Sequence, residues 1–121
     1  MSQPDAYAAF HERPLVYVAA PYRSDPVQNT RQAILFADRM QRVGGITCIV
    51  PHLNLGWDLV QPHEANYWLE YDFALLARCD ALFRLPGESP GADDEVRFAG
   101  ERGIPVFYRE TTLLVWARRQ P

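Results

Sequence analysis

The sequence predicts an α/β fold, and three observations support this. Short apolar runs without polar alternation, typical of strands buried on both faces, recur along the chain. Amphipathic segments separate these runs, and strand and helix alternate throughout, which favours parallel strands joined by right-handed crossovers. The chain has 121 residues, of which 48% are hydrophobic and 22% charged, as in a globular domain. We therefore expect a Rossmann- or flavodoxin-like three-layer sandwich with a parallel sheet of four to five strands.

The first half of the chain predicts two strands and a helix. Residues 1–13 are polar and are expected to be loosely ordered, within a single domain that spans residues 1–121. Leu15–Ala19 is the first apolar run, and a helix from about Val27 to Val43 follows a loop with two prolines. Ile46–Val50 is the second apolar run. The side chains expected to face inward from the helix are Ala33, Ile34, Ala37 and Met40.

The second half predicts two further strands set between helices. His52–Asn66 is polar and aromatic, and we predict a mobile or substrate-covering loop there. A helix around Asp72 precedes the strand Asp80–Leu85. A helix around Glu95 then precedes the strand Ile104–Tyr108, and a last helix closes the chain.

Composition and charge exclude several functions. The net charge of −3 and the lack of a basic run argue against a nucleic-acid partner. All 12 basic residues are arginine, which excludes chemistry that needs a lysine, such as a Schiff base. Cys48 and Cys79 are predicted to be small buried side chains without a disulfide. No segment resembles a signal peptide or reaches the length of a membrane span, so we expect a cytoplasmic protein without a membrane partner.

Two acidic side chains interrupt helix faces that should be apolar. Glu95 shares its predicted face with Ala92 and Ala99, and Asp72 lies likewise on the face of Leu76. A carboxylate in such a place is costly unless it is paired or used in chemistry. Because both helices flank the same strand, we expect the two carboxylates to face one cleft. The alternative for Glu95 is a structural salt bridge with an arginine.

A ligand is expected beyond the carboxyl ends of the strands, where the strand order reverses. Three segments lie there, namely Ala20–Asp25, Pro51–Leu55 and Pro86–Ala92. The third segment supplies Ser89 as a helix N-cap and Pro90 at the first helical position, a combination that favours an anion such as phosphate. The alternative is a well-capped helix that binds nothing.

Other residue patterns are less specific. His52 either lines the pocket or caps a loop. The nearby His, Glu and Cys residues match no metal-ligand spacing, so we expect no metal. Trp68 and Tyr71 are close enough to Asp72 in sequence to stack on a nucleobase, although aromatic residues at helical spacing more often belong to a core or an interface.

An ordered set of motifs resembles the nucleoside 2-deoxyribosyltransferase superfamily, which also includes 2′-deoxynucleoside 5′-monophosphate N-glycosidases and small uncharacterised relatives. The motifs are the run from Val16 to Arg23, Pro51-His52, Asp72, Cys79-Asp80, and Ser89-x-Gly91-Ala92-x-x-Glu95. The resemblance covers roughly residues 15–107. The resemblance implies a Rossmann-like domain without a metal or organic cofactor, acting on a small nucleotide or nucleoside as a homodimer or homotetramer.

The resemblance also implies roles for individual residues. Glu95 matches the nucleophile that attacks the anomeric carbon, Asp72 the acid that assists departure of the base, and Tyr17 a tyrosine near the nucleophile. Ser89 stands where the monophosphate hydrolases have a serine that contacts the 5′-phosphate and the transferases usually have an aspartate. The other residues expected to contact substrate are Gly91, Ala92, Arg23, Tyr22, Pro21 and His52, with Arg23 as the partner of the phosphate.

Two departures from the family pattern bear on the reaction. Ala20-Pro21-Tyr22 replaces the small Gly-Ser-type turn of the phosphohydrolases. Residues 109–121 contain no asparagine, the residue that the transferases receive from a neighbouring subunit near this point. The first departure removes a hydroxyl expected to contact the phosphate, whereas the second argues against base exchange. Because Ser89 in place of Asp makes a phosphate tolerable, we expect hydrolysis of the N-glycosidic bond of a nucleoside or deoxynucleoside 5′-monophosphate. Base exchange between nucleosides and a non-catalytic nucleotide-binding module are the alternatives.

Overall fold

Four parallel strands form one sheet in the computed structural model, which describes residues 9–121. The strands are β1 (Leu15–Ala19), β2 (Thr47–Ile49), β3 (Ala81–Arg84) and β4 (Val106–Phe107). Their order is β2-β1-β3-β4, and each neighbouring pair runs parallel. This confirms the predicted α/β fold, and it places the reversal of strand order between β1 and β3.

Helices connect the strands and cover both faces of the sheet. They are α1 (Pro26–Val43), α2 (Asn54–Val60), α3 (Ala65–Leu76), α4 (Pro90–Glu101) and α5 (Glu110–Arg118). Two short 3-10 turns occupy Phe10–Glu12 and Pro51–Leu53. Helix α1 begins where the Asp25 carboxylate accepts a hydrogen bond from the Gln28 amide at 3.2 Å, with Pro26 at the first helical position.

The side chains of β1 divide the core into two layers. Val16 and Val18 pack with residues of α1 and α5 on one face of the sheet. Tyr17 and Ala19 point to the other face, where they pack with α3 and α4. This alternation follows from the period of two in a strand. It directs the phenol of Tyr17 into the layer that carries both Asp72 and Glu95.

The prediction of a long loop over His52–Asn66 is wrong. A 3-10 turn and helix α2 occupy most of this segment, and α3 already begins at Ala65. Contacts between the two helices account for the order, because the ring of Trp57 packs edge-on against Trp68 at 5.4 Å. The turn between the helices is closed by the Asp58 carboxylate, which accepts a hydrogen bond from the His63 amide at 2.9 Å.

Three further expectations concern single residues and the ends of the chain. Ile34 was expected to face inward, but it is 41% exposed because α1 turns this position away from the sheet. Of residues 1–13, expected to be loosely ordered, residues 1–8 lie outside the described part, whereas Phe10–Glu12 form a 3-10 turn. No helix within residues 9–121 is long and apolar enough to cross a membrane.

Candidate active site

A cleft of about 650 Å³ lies at the carboxyl ends of the strands, at the reversal of strand order. All three segments predicted to reach this edge contribute to its walls, with His52 following β2 and Ser89 following β3. Asp72 of α3 and Glu95 of α4 line the same cleft. The two acids singled out by their positions on apolar helix faces therefore do face one cavity.

Glu95 is buried, with 6% of its surface exposed, and its Oε2 accepts a hydrogen bond of 2.5 Å from the hydroxyl of Tyr17. Burial raises the pKa of Glu95 to about 8, and the charge of Asp72 adds to this, whereas the Tyr17 hydrogen bond and the charge of Arg84 oppose it. Within residues 9–121, none of the ion pairs includes Glu95. The structure of these residues therefore does not show the salt bridge with an arginine that was the alternative for Glu95.

Asp72 lines the same cleft and has a different hydrogen-bond donor. The side-chain amide of Asn54 donates a hydrogen bond of 3.1 Å to Asp72 Oδ1. Burial raises the pKa of Asp72 to about 7, although the hydrogen bond from Asn54 and the nearby hydroxyl of Tyr17 act to lower it. Burial and then the charges of Glu95 and Asp72 raise the pKa of Tyr17 well above its ordinary value, so this phenol remains a donor. Tyr17 thus interacts with both carboxyl groups.

Burial thus raises the pKa values of both carboxyl groups into the range near neutral pH, where one group of the pair is protonated and the other is ionised. The charges interact, so the protons leave the pair in two coupled steps. Two acids with perturbed pKa values in one cleft can supply a nucleophile and a general acid. The site has the groups needed to cleave a bond to a poor leaving group.

The start of α4 forms one end of the cleft. Ser89 Oγ accepts a hydrogen bond of 3.1 Å from the Ala92 amide, so the serine is the N-cap of α4, as predicted. Its hydroxyl hydrogen can still be donated to a ligand, since one hydroxyl both donates and accepts. Gly91 and Arg23 also line the cleft. This end therefore offers donors to an anion or a hydroxyl group.

His52 both lines the cleft and hydrogen-bonds to a neighbouring loop, the two alternatives predicted for it. It lines the cleft, and its Nε2 donates a hydrogen bond of 2.8 Å to the carbonyl of Pro21, which itself is not part of the lining. Burial lowers the pKa of His52, so the ring is neutral near pH 7. Among the described residues, its Nδ1 has no hydrogen-bond partner. Tyr22 also lines the cleft and packs edge-on against this ring at 5.5 Å.

Arg84 is a structural residue of the site that the sequence analysis missed. Its guanidinium is buried at the end of β3 and donates to the carbonyls of Leu85 and Gly87 and to Asp93 Oδ1. These bonds hold the turn between β3 and α4. Gly87 has a φ of 119°, and a Cβ there would lie 2.7 Å from the ring of Pro21. The feature of the sequence that could have indicated the role of Arg84 is its charge at the end of an otherwise apolar strand.

Two polar residues of α2, Asn54 and Asp58, also line the cleft and were missed. Their i, i+4 spacing becomes visible only once this segment is known to be helical.

Of the two aromatic residues considered for stacking on a base, Trp68 lines the cleft and Tyr71 does not. The ring of Tyr71 packs against Trp57 at 5.5 Å. Among the described residues, no three His, Cys, Asp or Glu side chains are grouped so that they could hold a metal ion.

Comparison with known proteins gives a family. A family model with the description "Domain of unknown function (DUF7768)" matches residues 14–109. The chain belongs to this family. No curated protein matches this member of the DUF7768 family. One similar solved structure is a 2-deoxyribosyltransferase from the psychrotolerant bacterium Bacillus psychrosaccharolyticus, with 17% identity, coverage of 76% of this chain and 69% of that chain, and a TM-score of 0.47.

Proposed function

We propose that this protein cleaves the N-glycosidic bond of a nucleoside 5′-monophosphate, of the ribo or deoxyribo series, and transfers the sugar to water. The observation that carries this proposal is the buried Glu95, which faces the cleft with Asp72 and is bound by Tyr17. Several residues of the motifs that resemble the deoxyribosyltransferase superfamily line this cleft, among them Arg23, His52, Asp72, Ser89, Gly91, Ala92 and Glu95. No cofactor is required by the steps below.

In the first step, Glu95 acts as the nucleophile. Its Oε2 holds the Tyr17 hydrogen bond, which leaves Oε1 to attack the anomeric carbon of the sugar. The new C–O bond forms as the C–N bond breaks, and the electron pair of that bond passes to the base nitrogen. Asp72 donates its proton to the departing base. Because the pKa of Glu95 is the higher of the two, this step uses the minor form of the singly protonated pair, in which Asp72 holds the proton and Glu95 is ionised. The transition state resembles an oxocarbenium ion, which a nearby carboxylate stabilises.

In the second step, water replaces the base. The Asp72 carboxylate, now ionised, accepts a proton from the water as its oxygen attacks the anomeric carbon. The ester bond to Glu95 breaks, and its electron pair returns to the carboxylate. The products are a free base and a sugar 5′-phosphate, and both acids regain their starting protonation states. The Asn54 hydrogen bond keeps Asp72 oriented through both steps.

Support for a phosphate comes from the start of α4. The Ser89 hydroxyl and the Gly91 amide lie at a helix N-terminus, where the partial positive charge favours an anion. Arg23, an exposed side chain on the cleft wall, can add a charged partner. A nucleotide would therefore be held by its phosphate at this end and would extend its base toward Asp72.

A second candidate, base exchange between nucleosides without a phosphate, is favoured by the acidity of the same cleft. Glu88 and Asp94 join Asp58, Asp72 and Glu95 in its lining, against a single arginine, Arg23. Carboxylates near the 5′ position disfavour a phosphate dianion and suit a free hydroxyl group. In this reaction, a second base rather than water attacks the anomeric carbon.

The test is chromatography of products after incubation with ribo- and deoxyribonucleosides and with their 5′-monophosphates. Free base and sugar phosphate from the monophosphates support the proposed hydrolysis. A new nucleoside, formed only when an acceptor base is added, supports base exchange instead. If every substrate is recovered intact while a nucleotide raises the melting temperature, the protein is a binding module.

The pH dependence of the reaction is a further prediction. Below the lower pKa of the pair, near 7, both acids are protonated and Glu95 cannot attack. Above the higher one, near 8, both are ionised and no proton is available for the base. We expect a bell-shaped plot of kcat/KM against pH with its maximum between these two values. A plateau that extends to about pH 10 would contradict the role of a general acid.

Replacing Asp72 by asparagine tests the general acid separately. We expect Asp72→Asn to slow base release by about 10²- to 10⁴-fold on a natural substrate. The loss in kcat/KM, which covers only the step that releases the leaving group, should be much smaller on a sugar phosphate that carries 4-nitrophenolate, because this group departs without a proton. The test is to measure kcat/KM for both substrates with the native protein and with Asp72→Asn. An equal loss on the two substrates would mean that Asp72 acts in another way.

A further inference from the structure

Asp58 lies in the cleft but has no part in the steps described above. It is on α2, four residues after Asn54, and the two side chains line the same wall. Four residues make about one helical turn, a rise of about 6 Å. Because Asn54 binds Asp72, Asp58 lies about one turn farther from the bond that breaks. A base whose glycosidic nitrogen is at Asp72 would extend along this wall.

The Asp58 carboxylate is fixed in place by two donors. The indole Nε1 of Trp68 donates to Asp58 Oδ1 at 2.7 Å, and the His63 amide donates to the same oxygen at 2.9 Å. These two hydrogen bonds lower the pKa of Asp58, so the group is ionised at neutral pH. Within residues 9–121, Oδ2 makes no hydrogen bond. A rigid, charged acceptor is therefore left open to a ligand.

Two aromatic side chains, Trp68 and Tyr22, line the cleft together with this carboxylate. Trp68 lines the cleft next to Asp58 and offers an apolar surface on which a planar base can lie. Tyr22 lines the same cleft as Asp58, and burial followed by the charge of this carboxylate raises the pKa of its phenol. Asp58 thus stands at the edge of a space suited to a flat ring.

We propose that Asp58 selects substrates whose base carries an amino group on the edge away from the sugar, such as cytosine or adenine, over their keto counterparts. An ionised carboxylate only accepts hydrogen bonds. An exocyclic amino group can donate to Oδ2, whereas a keto oxygen would face a negative charge with no proton between them. This inference rests on the proposed orientation of the nucleotide in the cleft.

The test measures affinity and not turnover, so its result is independent of whether the bond is cleaved. Glu95→Gln protein is titrated by calorimetry with the cytosine and uracil nucleotides, and then with the adenine and hypoxanthine nucleotides. We expect the amino-bearing member of each pair to bind about 10- to 100-fold more tightly, the range of a charge-assisted hydrogen bond. The corresponding nucleosides should show the same ratio.

Asp58→Asn in the same background is the decisive variant. Its amide oxygen can still accept the bonds from Trp68 and His63, so the fold is retained, while the amide group can now donate to a keto oxygen. We expect the ratio within each pair to fall to about one. The matched control is Glu88→Gln, which removes the same charge from the other end of the cleft and should leave the ratio unchanged.

Several outcomes would overturn the proposal. They are equal affinity for amino and keto bases, a preference that survives Asp58→Asn, a preference lost equally in Glu88→Gln, and the absence of binding by any of the four nucleotides. Failure of the proposed function gives a different result, because the native protein would then bind amino-bearing nucleotides selectively but release no base from them.

Discussion

Glu95→Gln is expected to lower the rate of base release by at least about a thousandfold, because the amide has no negative charge with which to attack the anomeric carbon. Glutamine preserves the shape of the side chain, and its Oε1 can accept the hydrogen bond from Tyr17. The loss should therefore appear in a protein that is fully folded. Product formation with excess enzyme over long incubation measures it.

Two controls assign the loss to the nucleophile. Glu101→Gln makes the same chemical change at an exposed position at the end of α4, and it should keep the native rate. Glu95→Ala opens space beside the anomeric carbon, so added azide should form a glycosyl azide in place of the ester. A Glu95→Gln rate within about tenfold of the native one would exclude Glu95 as the nucleophile.

The same substitution, Glu95→Gln, is expected to stabilise the fold, and by an amount that depends on pH. The folded pKa of Glu95, about 8, lies above its unfolded value of 4.5, so between these values the folded state binds the proton more tightly. The unfolding free energy of the native protein therefore falls as pH rises through this window. Glutamine does not titrate. At about pH 9 the variant should be more stable by roughly 3 to 5 kcal/mol, and near pH 5 by little.

Denaturant unfolding at these two pH values measures the difference. Glu101→Gln again serves as the control, since a change at an exposed position should alter stability by less than about 0.5 kcal/mol at either pH. If Glu95→Gln shifts stability equally at both pH values, the effect would come from packing and not from the buried charge. The ionised carboxylate of Glu95 is thus expected to be required for activity and to lower the unfolding free energy.

Local patterns in the sequence were sufficient for most of the sheet and for the two acids. A strand such as β1 is buried on both faces and reads as an unbroken apolar run. Glu95 and Asp72 are visible because a charge on an apolar helix face departs from the period of the helix. The start of α4 is equally local, since Ser89 and Pro90 are adjacent to the helix that they begin.

The features that could not be predicted depend on contacts between distant residues. Helix α2 is only seven residues long, and packing of Trp57 and Asp58 against Trp68 supports it. A helix this short is marginal by itself, so its own sequence gives little sign of it. Asn54 and Asp58 were missed for the same reason. Arg84 was missed because its partners lie in a turn whose conformation is known only from the folded chain.

Because Tyr17 lies on a central strand, we expect the site to form late in folding. β1 pairs with β2 on one side and with β3 on the other, and Glu95 meets Tyr17 across 78 positions of the chain. Contacts of such long sequence separation form only when the entropy of closing the intervening chain is offset by the whole sheet. During refolding, recovery of turnover should therefore lag behind recovery of helical signal, and turnover would report on completed topology.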